Sequence, residues 1–474
     1  YAIIAAVVVL VAVMFLAHFA KKGFRCAVRL EAFMAFLTAI LIIVNSICYG
    51  PMYANVSGFL NASKAEFSEE TIQQSKDTIE KVGEEGMVLV KNDGLLPLSS
   101  DVTNLNVFGW DSTCPIYGGT GSAGSHCDGN VSILQSLQDA GYKTNETLSN
   151  MYTEYCAERP TISMSAQDWS LPEPNMKHYT DDIMNEAKDF SDTAMVVLGR
   201  PGGEGADLPT NMSAVINGTY NQGLATSNAP ANWRYMNATY TNNGSYDDFE
   251  EGESYLEPSV TEEQLIEKVC SEFDNVIVVI NANNTMELGW VDNYEQIKSV
   301  ILAPGAGETG FTALGEILNG TVNPSGKTAD TYVKNLLSTH YINNIGNFPY
   351  TNVDDLKAQA LAADSSYKGN VSFVNYVEGI YVGYKFYETA AEEGLIDYES
   401  SVQYPFGYGL SYTTFDKTMT NFKDNGDTVS FDVEVTNTGD VAGKDVVEVY
   451  YTPPYTNGGI EKASVNLVQF EKTE

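Results

Sequence analysis

Basic residues are scarce in this sequence of 474 residues. Lysine and arginine together number 26 against 62 aspartates and glutamates, so the net charge is −36 at neutral pH. A surface this acidic repels phosphates, which argues against nucleic acid as a partner. Neutral, hydroxyl-rich ligands remain open, because some of the 29 tyrosines and 4 tryptophans offer flat faces for sugar rings. Most of these aromatic side chains are nevertheless expected to serve ordinary packing.

Cysteine and histidine are also rare, with 6 and 4 residues. No Cys-x-x-Cys pair occurs, so a zinc or redox cysteine site has little support and no metal is predicted. Cys114 and Cys127 flank a glycine-rich loop. Two interpretations stay open for this pair: a disulfide that fastens the loop, or free buried thiols.

The longest apolar runs lie within residues 1–50. The run 2–20 is interrupted only by His18 and is long enough to cross the roughly 30 Å core of a bilayer, and a second run covers 33–49. The basic loop between them predicts two transmembrane helices that contact membrane lipid, with this loop in the cytoplasm. The chain is therefore expected to be a multi-pass protein of the cell membrane whose main domain is extracellular. A signal peptide followed by one anchor is the alternative.

Short apolar segments alternate with helical patterns beyond a linker and helix at 51–84. Strands are predicted at 87–90, 105–108, 194–198, 276–280 and 300–302. The pattern Thr261-Glu-Glu-Gln264 predicts a capping box that opens one of the helices. This alternation is typical of a parallel sheet covered on both faces, so residues 85–400 are predicted to form an α/β/α sandwich. Residues 208–258 break the pattern and are predicted to be a long surface insertion loop.

A different pattern, alternation with a period of two, characterises residues 401–474. The segments 429–435 and 446–451 predict strands of an antiparallel β-sandwich. The segment is shorter than the about 100 residues of a complete sandwich, so the sequence predicts a truncated module.

Residues 305–310 have the form Gly-x-Gly-x-x-Gly of a dinucleotide-binding turn. The motif comes late in the predicted sheet, and Glu308 stands at the helix start, where a pyrophosphate needs room. A tight strand-to-helix turn whose glycines allow close packing is therefore the preferred interpretation, and no cofactor is predicted.

Two further glycine-rich segments are candidate sites. Residues 117–124 resemble the nucleophile elbow of serine hydrolases, but Thr120 replaces its first glycine and no histidine is an obvious partner for Ser122. A flexible loop at the edge of a ligand site is the better interpretation. Residues 202–205 place Glu204 among glycines at the carboxyl end of a predicted strand, the edge where open α/β sheets form their sites.

Taken in order, these segments resemble glycoside hydrolase family 3 of the β-glucosidase type. The matching stretches are 84–98, 118–124, 202–205, 304–310, 323–326, 376–384 and 404–415. They correspond to the α/β sandwich domain of that family and to the start of its fibronectin-III-like domain.

The resemblance implies retaining hydrolysis of β-glycosides by two carboxylates, one a nucleophile and the other an acid/base. The acid/base corresponds to Glu204. Substrate contacts are expected from a small set of residues: Gly119, Thr120, Gly121, Ser122 and Arg200.

In this family the nucleophile is an aspartate on a (β/α)8 barrel, which this sequence lacks. Some members carry the barrel last, so the resemblance predicts a barrel beyond Glu474. The expected protein is a membrane-anchored, extracellular β-glycosidase that acts on a β-linked oligosaccharide or glucoside, and residues 1–474 alone are expected to be inactive. The alternative is a non-catalytic cell-surface protein that binds glycans.

Overall fold

The structure is a computed structural model that divides into two compact units, Tyr1–Ile72 and Gln73–Glu474. It describes residues 2–50, 53, 57, 67–119, 123–125, 129–156, 162, 167–204, 208–220, 239–240, 248–342, 348–350, 354–363, 372–373 and 375–474.

The first unit contains two apolar helices, α1 (Ala2–Leu16) and α2 (Arg25–Tyr49). The stretch Arg25–Ser46 of α2 has 22 residues and is long and apolar enough to cross a membrane. The 15 residues of α1 rise only about 22 Å at about 1.5 Å per residue, short of the roughly 30 Å bilayer core. The expected pair of spanning helices is therefore not confirmed. Among the described residues one helix qualifies, and a signal sequence near the amino terminus meets the same criterion.

The second unit is a mixed α/β structure. Its helices are α3 (Glu69–Gly86), α4 (Ile133–Asp139), α5 (Glu146–Cys156), α6 (Asp181–Phe190), α7 (Met212–Ile216), α8 (Val260–Glu272), α9 (Thr312–Asn319), α10 (Asp354–Ala363), α11 (Tyr384–Glu392) and α12 (Tyr398–Ser401). Its strands are β1 (Val88–Asn92), β2 (Asn104–Phe108), β3 (Lys143–Thr144), β4 (Thr193–Arg200), β5 (Asn275–Ala282), β6 (Ile297–Leu302), β7 (Tyr332–Val333), β8 (Phe348–Pro349), β9 (Ser372–Phe373), β10 (Val402–Tyr404), β11 (Phe415–Asp424), β12 (Val429–Asn437), β13 (Val446–Tyr451) and β14 (Asn466–Lys472).

The main sheet has six strands in the order β1-β6-β5-β4-β2-β3. Strands β2 to β6 run parallel, as the sequence predicts, but β1 pairs with β6 in the antiparallel direction. All eight residues of β4 are buried, because this strand is covered on both faces and therefore consists of a continuous apolar run. An apolar run carries no information about strand direction, so the sequence did not indicate the reversed edge.

Helices cover both faces of this sheet. Along β4, Val196 and Leu198 belong to one hydrophobic core, whereas Met195 and Val197 belong to another. The first core includes side chains of α5, α6 and α8, and the second includes side chains of α4 and α9. Successive residues of a strand point to opposite faces, so two cores in alternation show a sheet with helices on each side.

The predicted surface loop at 208–258 is wrong for the parts that the structure describes. The segment begins with α7, and five of its apolar side chains lie in the core: Met212, Val215, Tyr240, Phe249 and Tyr255. The predicted capping box is also displaced. Helix α8 begins at Val260, and its capping box joins Ser259 to Glu262.

The carboxyl-terminal strands form antiparallel pairs, β11 with β12 and β13 with β14, which confirms the antiparallel pattern read from the sequence. Further antiparallel pairs are β7 with β10 and β8 with β9. A fibronectin-III-like module remains a prediction, as do the domain boundaries at residues 50, 84 and 400.

Candidate functional site

The carboxyl ends of the parallel strands β2, β4, β5 and β6 meet at one edge of the main sheet. Open α/β sheets bind ligands at this edge, because the loops that leave the strands there surround a crevice. The predicted acid, Glu204, follows β4 at this edge, and its side chain is exposed. The glycine-rich segments that follow β2 and β6 reach the same edge.

Three glycine-rich turns approach one another beside Glu204. A methyl group at Gly305 would lie 3.0 Å from the Cα atom of Gly118, and one at Gly119 would lie 3.4 Å from the carbonyl oxygen of Gly202. The same methyl group at Gly119 would lie 3.6 Å from the Cα atom of Gly203. These approaches leave little room for side chains, which explains the recurrence of glycine in all three turns.

Two asparagines at the end of β5 fasten these turns. Asn281 is fully buried, and its Nδ2 donates to the carbonyl oxygen of Ala303 at 2.7 Å while its Oδ1 accepts from the backbone N–H of Ile116 at 2.6 Å. Asn283 Oδ1 accepts from the backbone N–H of Gly305 at 2.7 Å. The sequence reasoning missed both residues, although two polar side chains directly after an apolar strand were a usable signal.

The loop that carries Glu204 packs against Leu208 and Asn284 through Gly202. A methyl group at Gly202 would lie 3.1 Å from Cδ2 of Leu208 and 3.3 Å from Nδ2 of Asn284. Gly202 is buried, whereas Gly203 and Glu204 are exposed. The loop therefore rests on the protein at Gly202, and Glu204 is an exposed residue two positions further along.

Arg200 was expected to contact the substrate, but its side chain lies inside the protein. The side chain is fully buried, and its guanidinium forms an ion pair with the equally buried Glu262, with 2.5 Å between Nη2 and Oε2. Nε donates to the carbonyl oxygen of Tyr255, and Nη2 to that of Glu257, each at 2.7 Å. A guanidinium engaged in this way has no donor left for a sugar, so the expected substrate contact of Arg200 is corrected to a structural role.

The other expected contacts fall on a loop that the structure describes only in part. Gly119 is half-buried and lies beside Gly202, as described above. Thr120, Gly121 and Ser122 lie outside the described residues.

The turn 305–310 connects β6 to α9 and is covered by α3. Gly307 has a φ of +66°, which favours glycine, and a methyl group there would meet the Ile79 side chain at 3.7 Å. Glu308 forms an ion pair with Lys76 at 3.0 Å, and Thr309 Oγ1 donates to the carbonyl oxygen of Lys76 at 3.1 Å. This geometry is the tight strand-to-helix turn of the preferred interpretation.

The structure gives Cys114 a partner that neither of the two open interpretations named. Cys114 forms a disulfide with Cys156, the last residue of α5, across 42 residues of sequence. Cys127 lies outside the described residues. The disulfide fastens the segment between β2 and Gly118 to the buried end of α5. The pairing was not predictable because the sequence does not show that α5 ends beside this loop.

A buried acid near this edge was also missed. Glu173 accepts hydrogen bonds from the backbone N–H of Trp110 at 2.9 Å and from the hydroxyl of Tyr179, which contacts the Tyr152 hydroxyl at 2.6 Å. Burial raises the pKa of Glu173 to about 8, and the two hydrogen bonds oppose this shift only in part. This carboxyl group therefore holds a proton at neutral pH.

Comparisons with known proteins agree on one family. The model of the glycosyl hydrolase family 3 C-terminal domain matches residues 87–412. The chain is 29% identical over 414 residues to β-glucosidase A of Butyrivibrio fibrisolvens, which covers 82% of this chain and 42% of that protein. It is 29% identical over 398 residues to a β-glucosidase of Ruminococcus albus, covering 83% and 34%.

Solved structures give the same relationship. A β-glucosidase from Paenibacillus barengoltzii superposes with a TM-score of 0.61 at 27% identity, over 84% of this chain and 36% of that one. β-Glucosidase 3B from Thermotoga neapolitana in complex with glucose has a TM-score of 0.60 at 25% identity, over 86% and 47%. The chain thus spans less than half the length of each of these four relatives.

Proposed function

Because the chain belongs to glycoside hydrolase family 3, we propose that it supplies the acid/base of a retaining β-glycosidase, and that Glu204 is this residue. The observation that carries the proposal is the position of Glu204, an exposed residue at the carboxyl edge of the sheet, where three glycine-rich turns meet. A site with so few side chains lets a sugar ring approach the carboxyl group closely.

The proposed chemistry needs a second carboxylate about 5 Å from the first. The Glu204 carboxyl group protonates the oxygen of the leaving group while the nucleophile attacks the anomeric carbon. It then takes a proton from the water that releases the sugar. The proposed nucleophile is an aspartate on a (β/α)8 barrel outside residues 1–474, and the relatives, which are at least twice as long as the matched part, support this division.

The proposed substrate is a β-linked oligosaccharide or glucoside, which the names of the relatives support. In the proposal, Gly119, Thr120, Gly121 and Ser122 contact the bound sugar. The close approach of Gly119 to the Gly202–Gly203 backbone supports the part of this proposal that concerns Gly119.

The proposal includes a location at the cell membrane. The apolar helix α2 anchors the chain in lipid, α1 contributes to the same anchor, and the family 3 domain lies outside the cell. The length and apolarity of Arg25–Ser46 support the anchor. The carboxyl-terminal strand pairs are proposed to belong to a fibronectin-III-like module.

Replacing Glu204 by glutamine in the complete protein tests the proposed role. Loss of general acid catalysis should lower kcat/KM for a phenyl β-glucoside by about 10²- to 10⁴-fold. An activated dinitrophenyl β-glucoside should lose far less in its first step, because its leaving group departs without a proton. The matched control is Glu295→Gln, an exposed acid just before the amino end of β6.

If Glu204→Gln hydrolyses each of the two substrates as fast as the unaltered protein does, the role of Glu204 is contradicted. A complete protein that binds oligosaccharides but hydrolyses neither substrate would instead support the non-catalytic glycan-binding alternative.

A further inference from the structure

Arg200 is the last residue of β4 and lies four positions before Glu204. Its donors are engaged within the protein: Nε with the Tyr255 carbonyl, Nη1 with the Gly199 carbonyl and Glu262 Oε1, and Nη2 with the Glu257 carbonyl and Glu262 Oε2. All of these distances fall between 2.5 and 2.8 Å. A planar guanidinium held by a carboxylate on one side and by carbonyl groups on others has a single orientation.

Glu262, the partner of Arg200, is fixed just as firmly. It is the third residue of α8, where its Oε2 accepts from the backbone N–H of Ser259 at 2.9 Å. The Ser259 hydroxyl in turn accepts from the backbone N–H of Glu262 at 3.2 Å. The capping box and the ion pair therefore share one carboxylate, and this carboxylate joins the start of α8 to the end of β4.

A third segment, which we call the strap (residues 254–257), is fastened to the same guanidinium. The carbonyl groups of Tyr255 and Glu257 both accept hydrogen bonds from Arg200, and the Tyr255 ring lies 5.6 Å from the guanidinium carbon. Trp169 packs against the Tyr255 ring in a T-shaped arrangement, with 4.9 Å between the ring centroids. The strap cannot move without breaking contacts with Arg200.

Stability alone does not account for this arrangement. A buried ion pair loses the solvation of both charges, and apolar side chains of similar size often stabilise a protein as well or better. The pair fixes the place where β4 ends and the direction in which the backbone leaves this strand. Only residues 201–203 separate that point from Glu204, and two of them are glycines.

We propose that the Arg200–Glu262 pair is a positioning device for Glu204, with Arg200 as the positioning residue. The inference rests on the proposed function of Glu204 as acid/base. Arg200 sets the start of the loop, Gly202 rests on Leu208 and Asn284, and together they determine where the Glu204 carboxyl group lies. Neither member of the pair touches the substrate.

Arg200→Lys in the complete protein tests this role, because lysine keeps the charge but lacks the planar fork. Displacement of the Glu204 carboxyl by about 1 Å should lower kcat/KM for a phenyl β-glucoside by about 10- to 100-fold. The rate with a dinitrophenyl β-glucoside should change several-fold less. A merely structural role would reduce the folded fraction and lower both rates equally, which leaves their ratio unchanged.

Glu262→Gln is the second variant, which keeps the test open if the lysine variant does not fold. It retains the size of the side chain but removes its charge, and we expect the same change in the ratio of the two rates. The control is Lys188→Met, which removes an exposed pair with Glu272 at the other end of α8 and should leave the ratio unchanged.

The outcomes separate the two proposals. If Glu204→Gln selectively slows the phenyl substrate but neither Arg200→Lys nor Glu262→Gln does, the positioning role is overturned and the role of Glu204 stands. If Glu204→Gln itself shows no selectivity for the leaving group, the proposed function fails and the positioning role fails with it. A selective loss in all three variants supports both.

Discussion

At the scale of one residue, Glu173 shows how burial in this protein changes the protonation of a carboxyl group. Burial is the largest cause of its raised pKa, and the negative charges of Glu262 and Asp248 add to it. Arg200 compensates Glu262 directly, whereas Trp110 and Tyr179, the described residues that donate to Glu173, are neutral. Protonation of Glu173 therefore takes the place of a counter-ion in the folded state.

A pH dependence of stability follows from this proton. The folded pKa of about 8 lies above the ordinary value of 4.5, so the stability from this group is fully present below about 4.5 and is lost as the pH rises through about 8. Glu173→Gln removes the dependence, because glutamine is neutral at every pH. We expect the variant to gain in stability relative to the unaltered chain as the pH increases.

Urea unfolding at pH 5 and pH 9 measures this effect. The difference in unfolding free energy between Glu173→Gln and the unaltered chain should favour the variant more at pH 9, by an amount on the order of a few kcal/mol. A difference that is the same at both values would contradict a proton on Glu173 in the folded state. The exposed Glu295→Gln serves as the control.

Gly305 gives a second prediction at the residue scale. Alanine at this position places its methyl group 3.0 Å from the Gly118 Cα atom, and backbone on both sides of the contact limits relaxation. We expect Gly305→Ala to lower the free energy of unfolding by about 1–3 kcal/mol, as overpacking does. Gly86→Ala is the control in urea unfolding, since nothing lies within 4 Å of its added methyl group. Equal effects of the two substitutions would contradict the close approach.

Helix α8 shows at the scale of an element how far a local pattern can be read. The sequence pattern predicts a capping box of Thr261 with Gln264, but the box that forms joins Ser259 to Glu262. The choice depends on tertiary contacts, because Thr261 donates to Asp248 through its hydroxyl and its backbone N–H, the latter at 3.0 Å. A sequence pattern alone does not contain that information.

Substitution separates the two boxes. Ser259→Ala should lower the free energy of unfolding by about 1 kcal/mol, because the N–H of Glu262 loses its acceptor. Gln264→Ala should change it little, since Gln264 is exposed and lies inside the helix. The measurement is urea unfolding at neutral pH. A larger loss in Gln264→Ala than in Ser259→Ala would indicate the other register.

The central strands were predictable because each is a continuous apolar run, which is what burial on both faces requires. The buried aromatics of the 208–258 segment were not, since Tyr240, Phe249 and Tyr255 are separated by polar residues without any period. Arg200 shows the same limit at the candidate site. A charged residue at a strand end normally faces solvent, and only the distant Glu262 turns it inward.

At the scale of the whole molecule, the family was predictable because its short motifs occur in a fixed order along more than 300 residues, and the match to residues 87–412 confirms it. Such motifs depend on backbone geometry, as the three glycine-rich turns show, and geometry of this kind constrains residue identity strongly. The roles of individual side chains are less constrained. The place of Glu204 at the carboxyl edge of the sheet followed from its motif, whereas the burial of Arg200 and the hydrogen bonds of Asn281 and Asn283 did not.

A prediction for the whole molecule concerns the isolated part. Residues 51–474 carry the proposed acid/base but not the proposed nucleophile, so this fragment should hydrolyse an aryl β-glucoside no faster than buffer does. Circular dichroism and a cooperative thermal transition would establish that the purified fragment is folded. Turnover at an ordinary enzymatic rate would show that the nucleophile lies within these residues and would contradict the proposed division.

The pairing of β1 with β6 has a consequence for the order in which the protein is made. Ser299 Oγ of β6 donates to Asn92 Oδ1 of β1 across a separation of 207 residues. β1 leaves the ribosome first among the strands of the main sheet, yet the strand that it pairs with is made last among them. The apolar residues and backbone hydrogen-bonding groups of β1 therefore have no partner strand until the whole intervening chain has been synthesised. β1 is therefore without its partner strand for longer than any other strand of the main sheet.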